Sequence, residues 1–180
     1  MRPPVPRAWP PWKSWSPKRS VSGPQRRVKA AELSIVPDEL FSRPDGPLRE
    51  SICVDAACSG NPGRMEYQGV DTVTGARIFH LGPVERGTNN IGEFLAIVHA
   101  LAFMKQRGLK MPVYTDSRTA LSWISKKKAN TKLAATAKTS KLFDLIKRAE
   151  KWLETNPGPY NIRKWDTERW GEIPADFGRK

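Results

Sequence analysis

An acidic residue in the middle of an apolar strand, followed at once by a chain reversal, constrains this protein most. Residues 51–58 read Ser-Ile-Cys-Val-Asp-Ala-Ala-Cys. In an extended segment Ile52, Val54 and Ala56 share one face, and Cys53, Asp55 and Ala57 share the other. Asp is depleted in strands, and a carboxylate among apolar neighbours is costly unless it is paired or bound to a metal. Ser59-Gly60-Asn61-Pro62-Gly63 then supplies turn chemistry, so the strand opens an antiparallel hairpin. Two further strands are predicted near 65–72 and 76–82, around a turn at Thr74-Gly75.

The periodicity then changes. Residues 91–107 read as an amphipathic helix stopped by Gly108. Met111 to Thr115 is a short apolar strand, and 117–127 a second helix. A third helix covers 139–154, with Leu142, Leu145, Ile146, Ala149 and Leu153 on one face. Pro157-Gly158-Pro159 breaks it. Tyr160 to Trp165 forms the last strand, and a helical turn is expected to begin near Pro174, since proline suits a first helical position. Hairpins first and strand–helix–strand crossovers later give antiparallel and then parallel pairing. The expected class is α/β, with a mixed five-stranded sheet and helices on both faces.

Composition shifts upstream of this pattern. Residues 1–31 hold eight Lys/Arg, no Asp/Glu and seven Pro, which rules out helix or central strand there. Residues 1–48 are therefore read as a disordered leader and linker, and 49–180 as the folded domain. Trp9, Trp12 and Trp15 recur every three residues and would align along a polyproline helix, which offers base stacking or backbone binding as a second reading beside the preferred one of a plain disordered leader. An organelle transit peptide is a third reading, weakened by the prolines. The chain of 180 residues carries 31 Lys+Arg against 18 Asp+Glu, a net charge of +13, and such an excess points to a polyanionic partner. The only cysteines, Cys53 and Cys58, would stand roughly 16 Å apart in one strand, too far for a disulfide. They are read as free thiols in a reducing, cytoplasmic compartment. No apolar run has the length of a membrane span, and the N-terminus lacks the apolar core of a secretory signal. A monomer without membrane association is expected.

Two more acids stand out. Glu93 lies beside the helical stripe of Ile97 and Ala100. Asp116 follows Val113-Tyr114-Thr115 at the C-terminal end of a strand, where ligands gather in α/β sheets. Taken singly, the three have ordinary explanations: an edge-strand acid, a first-turn acid and a helix cap.

The local sequences carry more. Val-Asp-Ala-Ala-Cys-Ser-Gly-Asn-Pro-Gly (54–63), Gly-Thr-Asn-Asn-Ile-Gly-Glu (87–93), Tyr-Thr-Asp-Ser (114–117) and Trp-Gly-Glu-Ile-Pro-Ala-Asp (170–176) resemble, in order, the four motif blocks of the type 1 ribonuclease H family. The resemblance runs from about Ser51 to Lys180 and is closest to the bacterial branch typified by the Bacillus enzyme. It implies a ribonuclease H-like fold and an endonuclease that hydrolyses the RNA strand of RNA–DNA hybrids, leaving 5′-phosphate and 3′-hydroxyl ends. Two Mg²⁺ ions, replaceable by Mn²⁺, would be held by Asp55, Glu93, Asp116 and Asp176. By motif position Asp55 bridges both ions, Asp176 completes the ion that activates water, and Glu93 and Asp116 hold the other. In-line attack on an anionic phosphodiester needs this kind of charge, and hard oxygen ligands suit Mg²⁺.

Many relatives place a mobile histidine near the fourth block. Here His80 and His99 both precede Asp116 and read as packing residues. The resemblance gives the assisting role to Glu172, which would face the same way as Asp176 if that turn were helical. For the substrate it implies Gly60, Asn61, Asn89 and Asn90, with Ser117 or Arg118, as readers of the RNA 2′-hydroxyl. Thr88, Asn90, Thr131 and Thr167 would form a pocket for a DNA phosphate, and Trp123 would pack on deoxyribose or else serve the core. Lys126-Lys127-Lys128 and Lys132 would add phosphate contacts. The N-terminal hybrid-binding domain common in relatives has no counterpart in the sequence. The competing readings are a transposase or Holliday-junction resolvase on the same fold, which would lack the second and first blocks, and a non-catalytic hybrid-binding module, which has no need of buried acids.

Overall fold

The computed structural model describes residues 36–178. The leader tryptophans, and the readings that rest on them, lie outside the described residues. The strands are β1 (Ile52–Gly60), β2 (Gly63–Asp71), β3 (Arg77–Gly87), β4 (Val113–Thr115) and β5 (Ile162–Lys164), in the order β3-β2-β1-β4-β5. β1, β2 and β3 pair antiparallel, whereas β4 lies parallel to both β1 and β5. The mixed five-stranded sheet expected from the sequence is present.

The helices are α1 (Asp38–Phe41), α2 (Asn89–Arg107), α3 (Arg118–Ser125), α4 (Ser140–Thr155) and α5 (Thr167–Trp170). The Thr88 hydroxyl caps α2 by accepting from the Ile91 amide, and Gly108 ends it in the left-handed region at φ 66°. The two faces of β1 feed two cores. Ile52, Val54 and Ala56 join Phe94, Ile97, Leu145 and Leu153 beneath α2 and α4. Cys53 joins Val70, Tyr114, Trp165, Ile173 and Ala175 on the opposite face.

That second core corrects two expectations. The linker was drawn to residue 48, yet Val36 and Leu40 are buried in it, because α1 lays its one apolar flank across the sheet. No helix begins at Pro174: the Asp176 amide donates to the Ile173 carbonyl at 2.9 Å, closing a turn. The helical turn lies earlier, at α5, where the Asp166 carboxylate accepts from the Arg169 amide at 3.2 Å. β3 also outruns its predicted end at 82. It is an edge strand, and irregular registers against β2 let it carry Pro83 through to Gly87.

Both cysteines are free thiols. Burial pushes the Cys53 thiol up to about 12, so it is inert packing. His99 is also a packing residue: its ring stacks on Phe79 at 4.1 Å and meets the Tyr67 hydroxyl at 3.2 Å. His80 instead pairs with Glu66 across the strands at 2.7 Å. Among the described residues no helix is long and apolar enough to cross a membrane.

Candidate active site

One glycine brings the first two acids together. A Cβ on Gly92 would stand 2.7 Å from the Ala56 Cβ and 3.1 Å from the Met65 Cγ. Its absence lets the first turns of α2 rest directly on β1, so Glu93 arrives beside Asp55. Asp116 comes from the loop that leaves β4, the strand parallel to β1. One carboxylate oxygen each from Asp55, Glu93 and Asp116 lies within 4.8 Å of the others. Asp176 lines the same cleft, of about 420 Å³, together with Ala56, Ala57, Cys58, Ser59, Asn89 and Phe177, but stands outside the 4.8 Å cluster.

The electrostatics follow from this crowding. Asp55 is 8% exposed. Burial is the first cause that pushes its carboxyl up to about 8; a backbone hydrogen bond at Ala56 opposes it, and the charges of Asp116, Glu93 and Asp176 add to it. Glu93 is pushed up to about 7, again by burial first, with a Ser117 hydrogen bond opposing and Asp116 adding. Its orientation is set by the Asn89 amide, which donates to Oε1 at 2.8 Å. Three acids on separate elements, turned inward without a basic partner in the cluster, fit a hard divalent cation: every donor is oxygen, and a cation removes the repulsion that raises both groups.

A second cavity adjoins the cleft and shares Cys58 and Asn89 with it. Its walls are Cys58, Gly60, Asn61, Thr88, Asn89 and Asn90. Five of the residues singled out for substrate contacts therefore meet in one groove beside the acids. Others do not join them. Thr131 and Thr167 line neither cavity; the Thr131 hydroxyl accepts from the Leu133 amide at 3.1 Å, and Thr167 opens α5. Trp123 is 6% exposed and its ring meets Phe94 edge-on at 6.0 Å, so the structure places it in the core. Ser117 is buried as the cap of α3, accepting from the Ala120 amide at 3.1 Å, and Arg118 follows it, exposed. Lys128 is paired with the largely buried Glu150 at 2.8 Å. Glu172 is exposed and does not line the cleft; without a helix there, the four-residue spacing does not align it with Asp176.

The RNase H family model matches residues 49–157. The chain belongs to the RNase H family. Curated ribonucleases H are similar to it over most of its folded part. That of Neorickettsia sennetsu is 29% identical over 136 residues, 71% of this chain and 81% of the relative. That of Chromobacterium violaceum is 39% identical over 84 residues, 43% and 52% respectively. The crystal structure of RNase H1 from the archaeon Halobacterium salinarum is 19% identical, with a TM-score of 0.44 over 69% of this chain and 91% of that one. As an RNase H, the protein is a nuclease of a family that uses divalent metal, and the acid cluster fits that use. The family match stops before the fourth acid block, which the structure nevertheless folds back to the other three. Sequence reasoning missed Cys58 and Phe177 as cleft walls.

Proposed function

We propose that this RNase H hydrolyses the RNA strand of RNA–DNA hybrids endonucleolytically, leaving 5′-phosphate and 3′-hydroxyl ends. The observation that carries the proposal is the cluster of three carboxylate oxygens within 4.8 Å, set against a groove walled by Gly60, Asn61, Thr88, Asn89 and Asn90. Asp55, Glu93, Asp116 and Asp176 would hold two Mg²⁺ ions, with Mn²⁺ as a substitute: Asp55 shared, Asp176 on one, Glu93 and Asp116 on the other. Such ions would supply positive charge for an in-line displacement at the phosphodiester.

The chain's own groups do the rest. Asn89 fixes the Glu93 carboxylate by its amide and, with Cys58, joins the acid cleft to the groove. The amides of Asn61 and Asn90 and the backbone at Gly60 offer donors and acceptors to a 2′-hydroxyl, the group that separates RNA from DNA. Thr88 caps α2, which leaves its hydroxyl a lone pair for a further partner. The excess of 13 positive charges over the whole chain draws a polyanion towards a cleft that is itself acidic. The reading extends to a monomeric protein acting in the cytoplasm, with 49–180 as the catalytic unit.

The test is an end-labelled RNA–DNA hybrid incubated with and without Mg²⁺, beside free RNA and duplex DNA. Metal-dependent internal cuts in the hybridised RNA alone are expected. Equal cutting of free RNA, activity in excess EDTA, or a preference for duplex DNA would overturn the proposal.

A further inference from the structure

The acid on the C-terminal segment has no helix or strand beneath it, so something else must hold it in place. Asp176 lies in the irregular stretch after α5, outside every helix and strand of the described residues. One tie comes from the strand beside the one that carries Asp55, on the same face of the sheet. Gln68 on β2 sits directly opposite Asp55 on β1 and is 6% exposed. Its Nε2 donates to the carbonyl of Ala175 at 2.7 Å, across 107 residues of sequence. Its Oε1 accepts from Nε of Arg77 at 2.9 Å.

The two partners fix which way the amide points. A guanidinium only donates and a backbone carbonyl only accepts, so Oε1 must face Arg77 and Nε2 must face Ala175. Glutamine is one of the few side chains that can offer an acceptor and a donor at its tip at once. The Ala175 carbonyl needs that donor, because its residue is wholly buried and an unsatisfied buried carbonyl is costly. The next residue along the chain is Asp176, whose Oδ2 accepts from the Gly178 amide at 2.9 Å.

We propose that Gln68 is a positioning residue for Asp176: its amide, locked by Arg77, clamps the Ala175 carbonyl and so holds the fourth carboxylate against the acid cluster. The inference rests on the reading of Asp176 as a metal ligand. Gln68 touches neither metal nor substrate in this account and acts only through the segment it holds. A partner that orients a ligand from behind is commonly worth about 10- to 100-fold in metal affinity or activity, and that is the size expected here.

The experiment uses the full chain and the variants Gln68→Met, Gln68→Lys, Arg77→Ala, Asp176→Asn and the double variant of Gln68→Met with Asp176→Asn. Gln68→Met keeps length and burial but removes both hydrogen bonds. It is expected to raise the Mg²⁺ concentration for half-maximal cleavage about 10- to 100-fold. In the metal-free protein, hydrogen exchange over residues 171–178 should quicken while that of α2 and α4 stays as in the parent. Gln68→Lys restores a donor for the Ala175 carbonyl and should recover part of both losses. Arg77→Ala frees the amide to turn and should show a smaller loss of the same kind. In the Asp176→Asn background Gln68→Met should cost nothing further, because the group it positions is already gone.

Unchanged exchange at 171–178 together with an unchanged Mg²⁺ requirement in Gln68→Met overturns the proposal. So does a further loss of equal size in the double variant, or accelerated exchange throughout the fold, either of which marks a general structural role. Full activity of Asp176→Asn would instead overturn the ligand reading beneath it, and exchange at 171–178 would still report whether the clamp exists.

Discussion

Three of the four acids are rooted in the main core, and the fourth is tethered. Asp55 follows the wholly buried Val54 on β1, Glu93 precedes the wholly buried Phe94 on α2, and Asp116 follows the buried strand β4. Their positions are set by regular elements that cannot move without opening the core. Asp176 lies on an irregular segment held by Ile173 and Ala175 in the second core, one turn hydrogen bond and the Gln68 amide. The cost of each arrangement differs. The core acids are brought close before any cation arrives, and two of them carry raised pKa values for it. The tethered acid stands outside the 4.8 Å cluster, placed by hydrogen bonds instead of by a helix or strand.

The largest effect expected tests the core side. Asp55→Asn should abolish cleavage while hybrid binding in a mobility-shift assay persists, since the groove and the positive charge lie elsewhere. Stability should move the other way. An Asp55 carboxyl raised to about 8 keeps its proton in the metal-free fold while the unfolded chain ionises above about pH 4. The fold therefore loses stability as pH rises from about 4 to about 8, and Asn cannot show that loss. In EDTA the melting temperature of Asp55→Asn should exceed that of the parent by a margin that widens over this range. Retained cleavage would refute the catalytic assignment; a margin that narrows with pH would refute the burial argument.

Asp176→Asn comes next and addresses the tether. It should remove nearly all cleavage in Mg²⁺, with partial recovery in Mn²⁺, because Mg²⁺ demands near-ideal octahedral geometry and tolerates a poorer ligand set less readily. A core ligand should be rescued less, because its neighbours have no freedom to re-form the site. If Mn²⁺ rescues Asp55→Asn as well as it rescues Asp176→Asn, the distinction between rooted and tethered acids fails.

Gly92→Ala probes the rooting itself with a single methyl. The added Cβ would meet Ala56 at 2.7 Å, and overpacking of this sort typically costs about 1–3 kcal/mol. Urea unfolding should show that loss, and cleavage should fall because α2 retreats from β1 and carries Glu93 with it. Exchange at 171–178 should not change. Destabilisation with undiminished cleavage would mean that the approach of α2 to β1 does not set the site.

The same division governs what the sequence could reveal. The core side was legible because periodicity governs it: alternation along β1 separated Asp55 from Val54 and Ala56, and the three- and four-residue spacing of α2 and α4 marked their buried faces. The tethered side has no period. Pro174 is compatible with a first helical turn but does not compel one, and the Asp176 amide turns back to Ile173 instead. Asp166 ahead of Thr167 was a readable cap signal for α5, yet it stood inside a segment without an apolar stripe. The packing of Val36 and Leu40, the core position of Trp123 and the clamp at Gln68 depend on contacts between distant segments. No window along the chain contains both partners.

The smallest effect expected concerns Glu172, on the tethered side but outside the cleft. The motif resemblance puts Asp176 among the metal ligands and gives Glu172 only an assisting role in turnover. Their substitutions should therefore differ in kind as well as in size. Glu172→Gln should make the first cut at close to the parent rate, with steady-state turnover lowered about 2- to 10-fold, well short of the 10²–10⁴-fold associated with a group that transfers a proton in the chemical step. Single-turnover and steady-state measurements on one hybrid separate these outcomes, because the first reports chemistry and the second includes release. Equal large losses in both would place Glu172 in the chemical step and require the C-terminal segment to move it into the cleft. If neither rate changes, Glu172 is a solvated acid, and Asp176 is then the only carboxylate that the tethered segment contributes to catalysis.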